Sequence, residues 1–232
     1  GAETVLYVHV DGRPVAVGKD SRLPHEVDIT GVVEPGVPFE LALTVVRWSE
    51  ATYLEDQDHW HHAGLHRSVF VYATPPVHVA DVHATADLDP VTGHGHLRAV
   101  VHVGADGAGP TGWSVRVVLG DLEGTAAVRF EHPTDPFTNW FFFEGRRCVV
   151  ELDVPDVAPW SAEVPNLHDL TVTLLDPAGT EVDVVALRVG FRRVEVVGHE
   201  LRVNGRAVLL KGVNRRDHDP HRGKAVTTEG IE

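Results

Sequence analysis

Methionine is absent from all 232 residues, the initiator position included. Cysteine occurs once, as Cys148, so no internal disulfide can staple the fold and no thiolate metal site is available. That poverty points to a cytoplasmic compartment. Lysine is nearly missing too: the 20 basic side chains are three lysines and seventeen arginines, which reads as GC-biased codon usage rather than as mechanism. Basic charge is outnumbered, with 34 acidic side chains and a net charge of −14. Such a surface repels phosphate backbones and excludes nucleic acid as a partner. No apolar run approaches the roughly 18–20 residues of a membrane-spanning helix, so no membrane partner is expected. What remains is 43% hydrophobic, enough to bury real cores and to argue against wholesale disorder. The length suits one large domain or two small ones.

The opening residues run straight into an alternating stretch, Val5-Leu6-Tyr7-Val8-His9-Val10, which is neither a basic leader nor an apolar signal segment. The sequence stops at Thr227-Thr228-Glu229-Gly230-Ile231-Glu232, where a helix start is expected. An internal fragment of a larger protein is therefore expected. Short alternating runs recur at Glu40–Val46, Val115–Leu119 and Leu170–Leu175. Turn signals separate them: Asp11-Gly12, Glu34-Pro35-Gly36, Asp106-Gly107 and Asp176-Pro177-Ala178-Gly179. Period-two patterning with turns at this spacing predicts β-sandwiches. There is no internal repeat and no low-complexity segment.

Two points read as boundaries. Thr74-Pro75-Pro76 is a stiff connector, because a residue before proline is pushed to extended geometry. Near Gly190 the charge changes sign: residues 1–191 hold 11 basic and 28 acidic side chains, residues 192–232 hold 9 and 6. The later stretch predicts a hairpin around Asn204-Gly205, then an apolar run, Ala207-Val208-Leu209-Leu210, and a polar loop from Asn214 to Lys224. This is how a buried barrel strand delivers functional groups, and equally the pattern of a sandwich edge.

The strongest local signal is Arg47–Trp60, in which Glu55, Asp56 and Asp58 fall within four positions. Three such carboxylates repel one another and call for a cation or a hydroxyl-rich ligand, unless the run is a solvated acidic loop. Trp48, Tyr53 and Trp60 offer flat faces to a sugar ring. His59, His61 and His62, or His218, Asp219 and His221, have ligand-like spacing, but neither set brings four converging ligands, so no histidine metal site is expected. Cys148 reads as a buried structural thiol, and Trp140-Phe141-Phe142-Phe143 as a core strand before a binding patch.

Seven short stretches, in order, carry a resemblance. Ser21-Arg22-Leu23-Pro24, the Arg47–Trp60 stretch and Gly64-Leu65-His66-Arg67 resemble the sugar-binding jelly roll of β-galactosidases in glycoside hydrolase family 2. Pro159–Leu167 is similar to the end of the immunoglobulin-like domain that follows in those enzymes. Gly190-Phe191-Arg192, Val203-Asn204-Gly205 and Lys211-Gly212-Val213-Asn214-Arg215 resemble the start of their catalytic (β/α)8 barrel. Residues 80–150 match only in texture.

The resemblance implies an all-β chain: the C-terminal part of a jelly-roll sandwich over 1–78, an immunoglobulin-like sandwich over 79–191, and the first strand of the barrel within 192–232. It implies that Asp58 reaches the galactosyl 6-hydroxyl and a sodium ion, as befits an ionised, acceptor-only group. Glu55, Asp56 and Trp60 would support that loop, with Asn214 and Arg215 supporting from the barrel start and Trp48 packing rather than binding. Magnesium would belong to the rest of the barrel, and the parent enzyme would be a homo-oligomer. Three positions depart from the family pattern. His61 stands where arginine is usual, Arg216-Asp217 replaces His-Glu, and His168 replaces tyrosine. The first two leave substrate preference less defined than family.

A stand-alone carbohydrate-binding sandwich, an adhesion-type sandwich and a β-glucuronidase fragment are the alternatives, and the Glu-Asp-Gln-Asp motif argues against the last. A retaining glycosidase needs two carboxylates about 5–5.5 Å apart, and in this family both are glutamates on later barrel strands. A barrel takes about 250 residues, so no residue here is assigned as catalytic. The 232-residue chain alone is expected to leave a chromogenic galactoside intact; turnover above contaminant controls would refute this.

Overall fold

The computed structural model describes residues 1–55, 60–105, 111–130, 146–215 and 217–231. It divides into two compact units, residues 1–71 with 212–232, and residues 72–211.

The first unit begins with strands β1 (Ala2–Glu3), β2 (Val5–Val10), β3 (Arg13–Gly18) and β4 (Leu41–Val46), then a one-turn helix α1 (Ala51–Leu54) and β5 (Gly64–Leu65). Strands β3, β2 and β4 form one antiparallel sheet in that order, and β1 pairs with β5 in another. The β2–β3 hairpin turns at Asp11-Gly12, both with positive φ (47° and 74°). That conformation matches the twist of a hairpin and suits aspartate and glycine. Side chains alternate faces along a strand, so Leu6, Val8 and Val10 are buried while Tyr7 between them is exposed. Leu6 stands opposite Val45, and Val8 opposite Leu43. With Ala2, Val15, Ala16 and Val27 they make a small core. A second one-turn helix, α2 (Thr228–Ile231), follows at the far end of this unit's sequence.

The second unit is built from β6 (Val77–Leu88), β7 (Gly95–Ala105), β8 (Ser114–Leu119), β9 (Leu122–Ala127), β10 (Arg129–Phe130) and β11 (Arg146–Val154). Strands β12 (His168–Leu175), β13 (Glu181–Val189), β14 (Val194–Val197), β15 (Glu200–Val203) and β16 (Arg206–Ala207) complete it. Two four-stranded antiparallel sheets, β10-β11-β7-β6 and β13-β12-β8-β9, bury one shared core. Its members recur every second residue: Leu97, Ala99 and Val101 on β7, Val115 and Val117 on β8, Leu170, Val172 and Leu174 on β12. This is the sandwich expected from period-two patterning, and the immunoglobulin-like domain that the resemblance implies. A long-range bond ties its two sheets, because the Val79 amide in β6 donates to the Asp183 carboxylate of β13 at 2.8 Å.

Three sequence motifs meet at one edge of this unit. The Trp160 amide donates to the Phe191 carbonyl at 2.9 Å. The Asn204 side-chain amide donates to the Trp160 carbonyl at 3.0 Å, and its oxygen accepts from the Arg193 amide. The Arg192 guanidinium lies 4.5 Å over the Trp160 ring, a favourable cation–π approach. A side chain at position 190 would put its Cβ 2.8 Å from that ring, which is why glycine stands there.

The hairpin expected around Asn204-Gly205 forms between β15 and β16, with both turn residues at positive φ. The apolar run that follows is strand only at Ala207, after which Val208 donates to the Leu201 carbonyl. Leu209 and Leu210 are 79% and 77% exposed. A parallel barrel strand takes its ladder from strands on both sides, and no such neighbour stands among the described residues. The Asp106-Gly107 turn and the aromatic run at 140–143 lie outside the described residues.

Cys148 projects from β11 into the shared core, and burial pushes its thiol up to about 11. Phe191, fully buried in the same cluster, meets the edge of His168 at 5.4 Å between ring centres. Phe191→Ala is expected to destabilise the second unit by about 3–5 kcal/mol. Iodoacetamide should then alkylate Cys148 faster at pH 8, whereas the native chain stays inert until denatured; an unchanged denaturation midpoint would contradict this.

Candidate functional site

The acidic segment predicted as the sugar-binding signal begins where β4 ends. The Thr4 hydroxyl, buried, bonds the carbonyls of Val46 and Arg47 at 3.1 and 3.3 Å and fixes that exit. Ser49 and Thr52 then cap the start of α1: the Ala51 amide donates to the Ser49 hydroxyl, and the Ser49 amide to that of Thr52. The Glu55 amide closes the turn on the Ala51 carbonyl at 2.8 Å.

Among the described residues of the segment, Glu55 is the best-anchored acidic side chain. The hydroxyl of Ser21, itself 2% exposed, donates to one carboxylate oxygen at 2.5 Å, and the Ser21 amide reaches the other at 3.4 Å. Arg22 donates to the Glu55 carbonyl, and Lys19 pairs with Glu50 at 2.6 Å. The last pair is open to solvent and contributes little. The 19–22 turn is shaped by Asp20, whose carboxyl is held below its ordinary value by the amides of Leu23 and Arg22. Two of the motifs behind the resemblance, Ser21–Pro24 and Arg47–Trp60, therefore touch through Ser21 and Glu55.

Asp56 and Asp58, with Gln57 and His59, lie outside the described residues. Beyond them Trp60 is exposed, and the ring of His218 meets it edge-on with centres 4.2 Å apart. His62 stacks on His218 at 5.2 Å and itself meets Trp60 edge-on at 6.2 Å, so the three rings form one cluster. Trp48, also exposed, packs against the Arg47 guanidinium and the His61 ring, and Arg47 donates to the His61 carbonyl at 3.0 Å. Packing is thus what its described contacts supply.

The 217–224 segment turns on Asp219. Its carboxylate accepts from the amides of His221 and Arg222, which hold it below its ordinary value, and its backbone pairs with that of Gly223. The turn delivers Lys224 to Glu3 of β1, with the ammonium 2.9 and 3.0 Å from the two carboxylate oxygens. Both side chains are about nine-tenths buried. Glu3, His62, His66, His221, Arg222 and Lys224 line a pocket of about 210 Å³. Burial, followed by the positive charges around it, holds His66 below its ordinary value.

Of the supporting residues predicted, Glu55 and Trp60 are held as described. Asn214 and Arg215 are exposed, and Arg215 pairs with Asp217 at 2.7 Å. Among the described residues no group of three histidine, cysteine, aspartate or glutamate side chains is placed to hold a metal. The sequence reading missed Glu3 and Lys224. The available signal was a carboxylate set among the apolar residues that open the first sheet.

The first unit thus carries an aromatic-flanked acidic stretch beside a small antiparallel sheet, and the second is an immunoglobulin-like sandwich. The chain belongs to glycoside hydrolase family 2. The family's sugar binding domain matches residues 1–75, its central domain residues 77–192, and its TIM barrel domain residues 194–232. A β-galactosidase from Aeromonas hydrophila is 39% identical, and one from Photobacterium profundum 36%, each over the whole of this chain. The chain spans 22% of the length of either relative. Among solved structures, a Bacteroides fragilis protein assigned as a β-galactosidase superposes with a TM-score of 0.77 at 16% identity, covering 99% of this chain and 35% of that one. A β-glucuronidase from Ruminococcus gnavus superposes at 0.74 with 20% identity, covering 99% and 38%. These two share the fold.

Ser21→Ala removes a hydrogen bond to an ionised group and is expected to cost about 1.5–3 kcal/mol in the first unit. Ser21→Thr keeps the hydroxyl and should cost less. Limited proteolysis between residues 50 and 60 would read the difference; equal cleavage rates in Ser21→Ala and the parent sequence would discount the clasp.

Proposed function

We propose that this sequence is part of a retaining β-galactosidase and that its own contribution to the reaction is Asp58, offered to the galactose subsite. The observation that supports this reading best is the identity of 33–39% to β-galactosidases along essentially the whole chain, the acidic segment included. The anchoring of the flanking residues supports it too. Glu55 is fixed by Ser21, and Trp60 is packed against His218.

Chemically, an ionised aspartate only accepts hydrogen bonds, so it suits the 6-hydroxyl of a galactosyl ring. Glu55, Asp56, Gln57 and Asp58 present oxygen donors and no thiolate, which fits a hard monovalent cation. A sodium ion bound by Asp58 would supply further electrostatic hold on the same hydroxyl. Trp60 offers an apolar face to the ring's C–H edges. Neither the acid/base nor the nucleophilic carboxylate is assigned to this chain; in this reading both glutamates, and magnesium, belong to the remainder of the barrel.

Asp58→Ala in the full-length protein is expected to lower kcat/KM for a nitrophenyl β-galactoside roughly 10- to 150-fold, the worth of a hydrogen bond to a charged group. The loss should shrink for the 6-deoxy substrate, which lacks the hydroxyl, and sodium should cease to activate. Equal losses on both substrates, or faster turnover of a β-glucuronide than of the galactoside by the native enzyme, would count against the assignment.

A further inference from the structure

The acidic segment is held at its first end by its own sandwich, through Ser21 and Glu55. Its second end, at Trp60, is met by a residue more than 150 positions later. His218 lies edge-on to Trp60 at 4.2 Å, and His62 completes the cluster, stacked on His218 at 5.2 Å and edge-on to Trp60 at 6.2 Å. His218 is itself carried by a short segment with a deep anchor. Lys224, six residues on, places its ammonium against both oxygens of Glu3, and neither charge has more than a tenth of its side chain in solvent. Between the two contacts the Asp219 turn is closed by its own bonds, including the reciprocal pair with Gly223. Glu3 in turn pairs through its backbone with Gly64 of β5, just beyond Trp60 and His62. The contacts make a closed circuit: Trp60 to His218, through the turn to Lys224, across to Glu3, and back through β5.

We propose that the 217–224 segment is a clamp for the acidic segment, with His218 its positioning residue and the Glu3–Lys224 pair its anchor. The inference rests on the reading that Asp58 serves the galactose subsite, and adds that the start of the barrel sets where that carboxylate stands. His218 is not a catalytic residue; it acts through Trp60. A ring at 218 is what the contact requires, whereas a charge is not.

The test uses the full-length enzyme and a nitrophenyl β-galactoside. His218→Ala is expected to raise KM about 10-fold while kcat changes far less, the pattern of lost binding rather than lost chemistry. His218→Phe, which keeps a ring against Trp60, should recover most of that loss. On an Asp58→Ala background His218→Ala should add almost nothing, because both changes disable one element. Replacing the buried ion pair by an amide pair, Glu3→Gln with Lys224→Gln, should disturb KM less than Lys224→Met alone. Thermal melting of each variant separates folding from positioning. A folded His218→Ala enzyme with the native KM, or one whose loss is undiminished on the Asp58→Ala background, overturns the clamp. If Asp58→Ala alone has native kinetics, the galactose-subsite reading fails first; if Asp58→Ala is defective and His218→Ala is not, only the clamp fails.

Discussion

Glu3 and Lys224, 221 residues apart, are buried together, and the first unit is organised around that fact. Removing a carboxylate and an ammonium from water costs several kcal/mol each, and only close pairing with good hydrogen-bond geometry offsets it. The pair meets that condition, because both carboxylate oxygens are engaged. Loss of either partner would strand the other charge, at a typical cost of about 3–5 kcal/mol. The two-residue strand that carries Glu3 has three other attachments. Its backbone pairs with β5, Ala2 joins the core, and Thr4 immediately after it bonds the end of β4. One short segment thus touches the start and the finish of the acidic stretch as well as the turn at 219–223. Such a hub demands a charge that cannot slide, which a purely apolar contact would not supply.

The second unit reaches order by a different route. Its core is apolar and doubly covered, and among the described residues no ion pair sits within it. The polar specificity is at the edge, where Trp160, Gly190, Phe191, Arg192 and Asn204 converge. These residues carry much of the family resemblance, yet their contacts are hydrogen bonds and packing among themselves. In this unit, then, a recognisable motif marks a joint in the scaffold. In the first unit the motifs Ser21–Pro24 and Arg47–Trp60 also join, but there the joint fixes a carboxylate, that of Glu55, through Ser21.

The strands were legible because burial on one face writes a two-residue period into the sequence, and β2, β4, β8 and β12 fall where that period was seen. The hairpins were legible because Asp11-Gly12 and Asn204-Gly205 demand positive φ. Partners were not legible. Residues 192–232 change charge sign as a block, yet their packing divides them: Arg193 bonds Asp87 and β14–β16 join the second unit, while residues from Gly212 onward join the first. Net charge reports composition and carries no address. Glu3 escaped for a related reason, since a lone glutamate in a β-branched run reads as solvent-facing until its partner is known. Glu55 and Trp60 were recognisable as supports, whereas Ser21 and His218 stood out only for their motif and their spacing, and neither signal names the residue each one holds.

The acidic surplus is also easier to interpret once local and distant partners are separated. Asp20, Asp89 and Asp219 accept from amides two or three residues ahead, and those amides hold their carboxyls below the ordinary value. Such caps shape turns; their contribution is present above the ordinary carboxylate range and fades as pH falls through the lowered folded value. None of them implies a ligand. Other carboxylates have distant partners, among them Glu3 with Lys224, Glu55 with Ser21, Asp87 with Arg193, and Asp183 with the Val79 amide, which span between 34 and 221 residues. The last two lock the sandwich of the second unit. The first two both act on segments that border residues 56–59, from opposite ends. A net charge of −14 therefore says little about what this protein binds. The position of its long-range carboxylates says more, because Glu3 and Glu55 both act on segments that border the same acidic stretch.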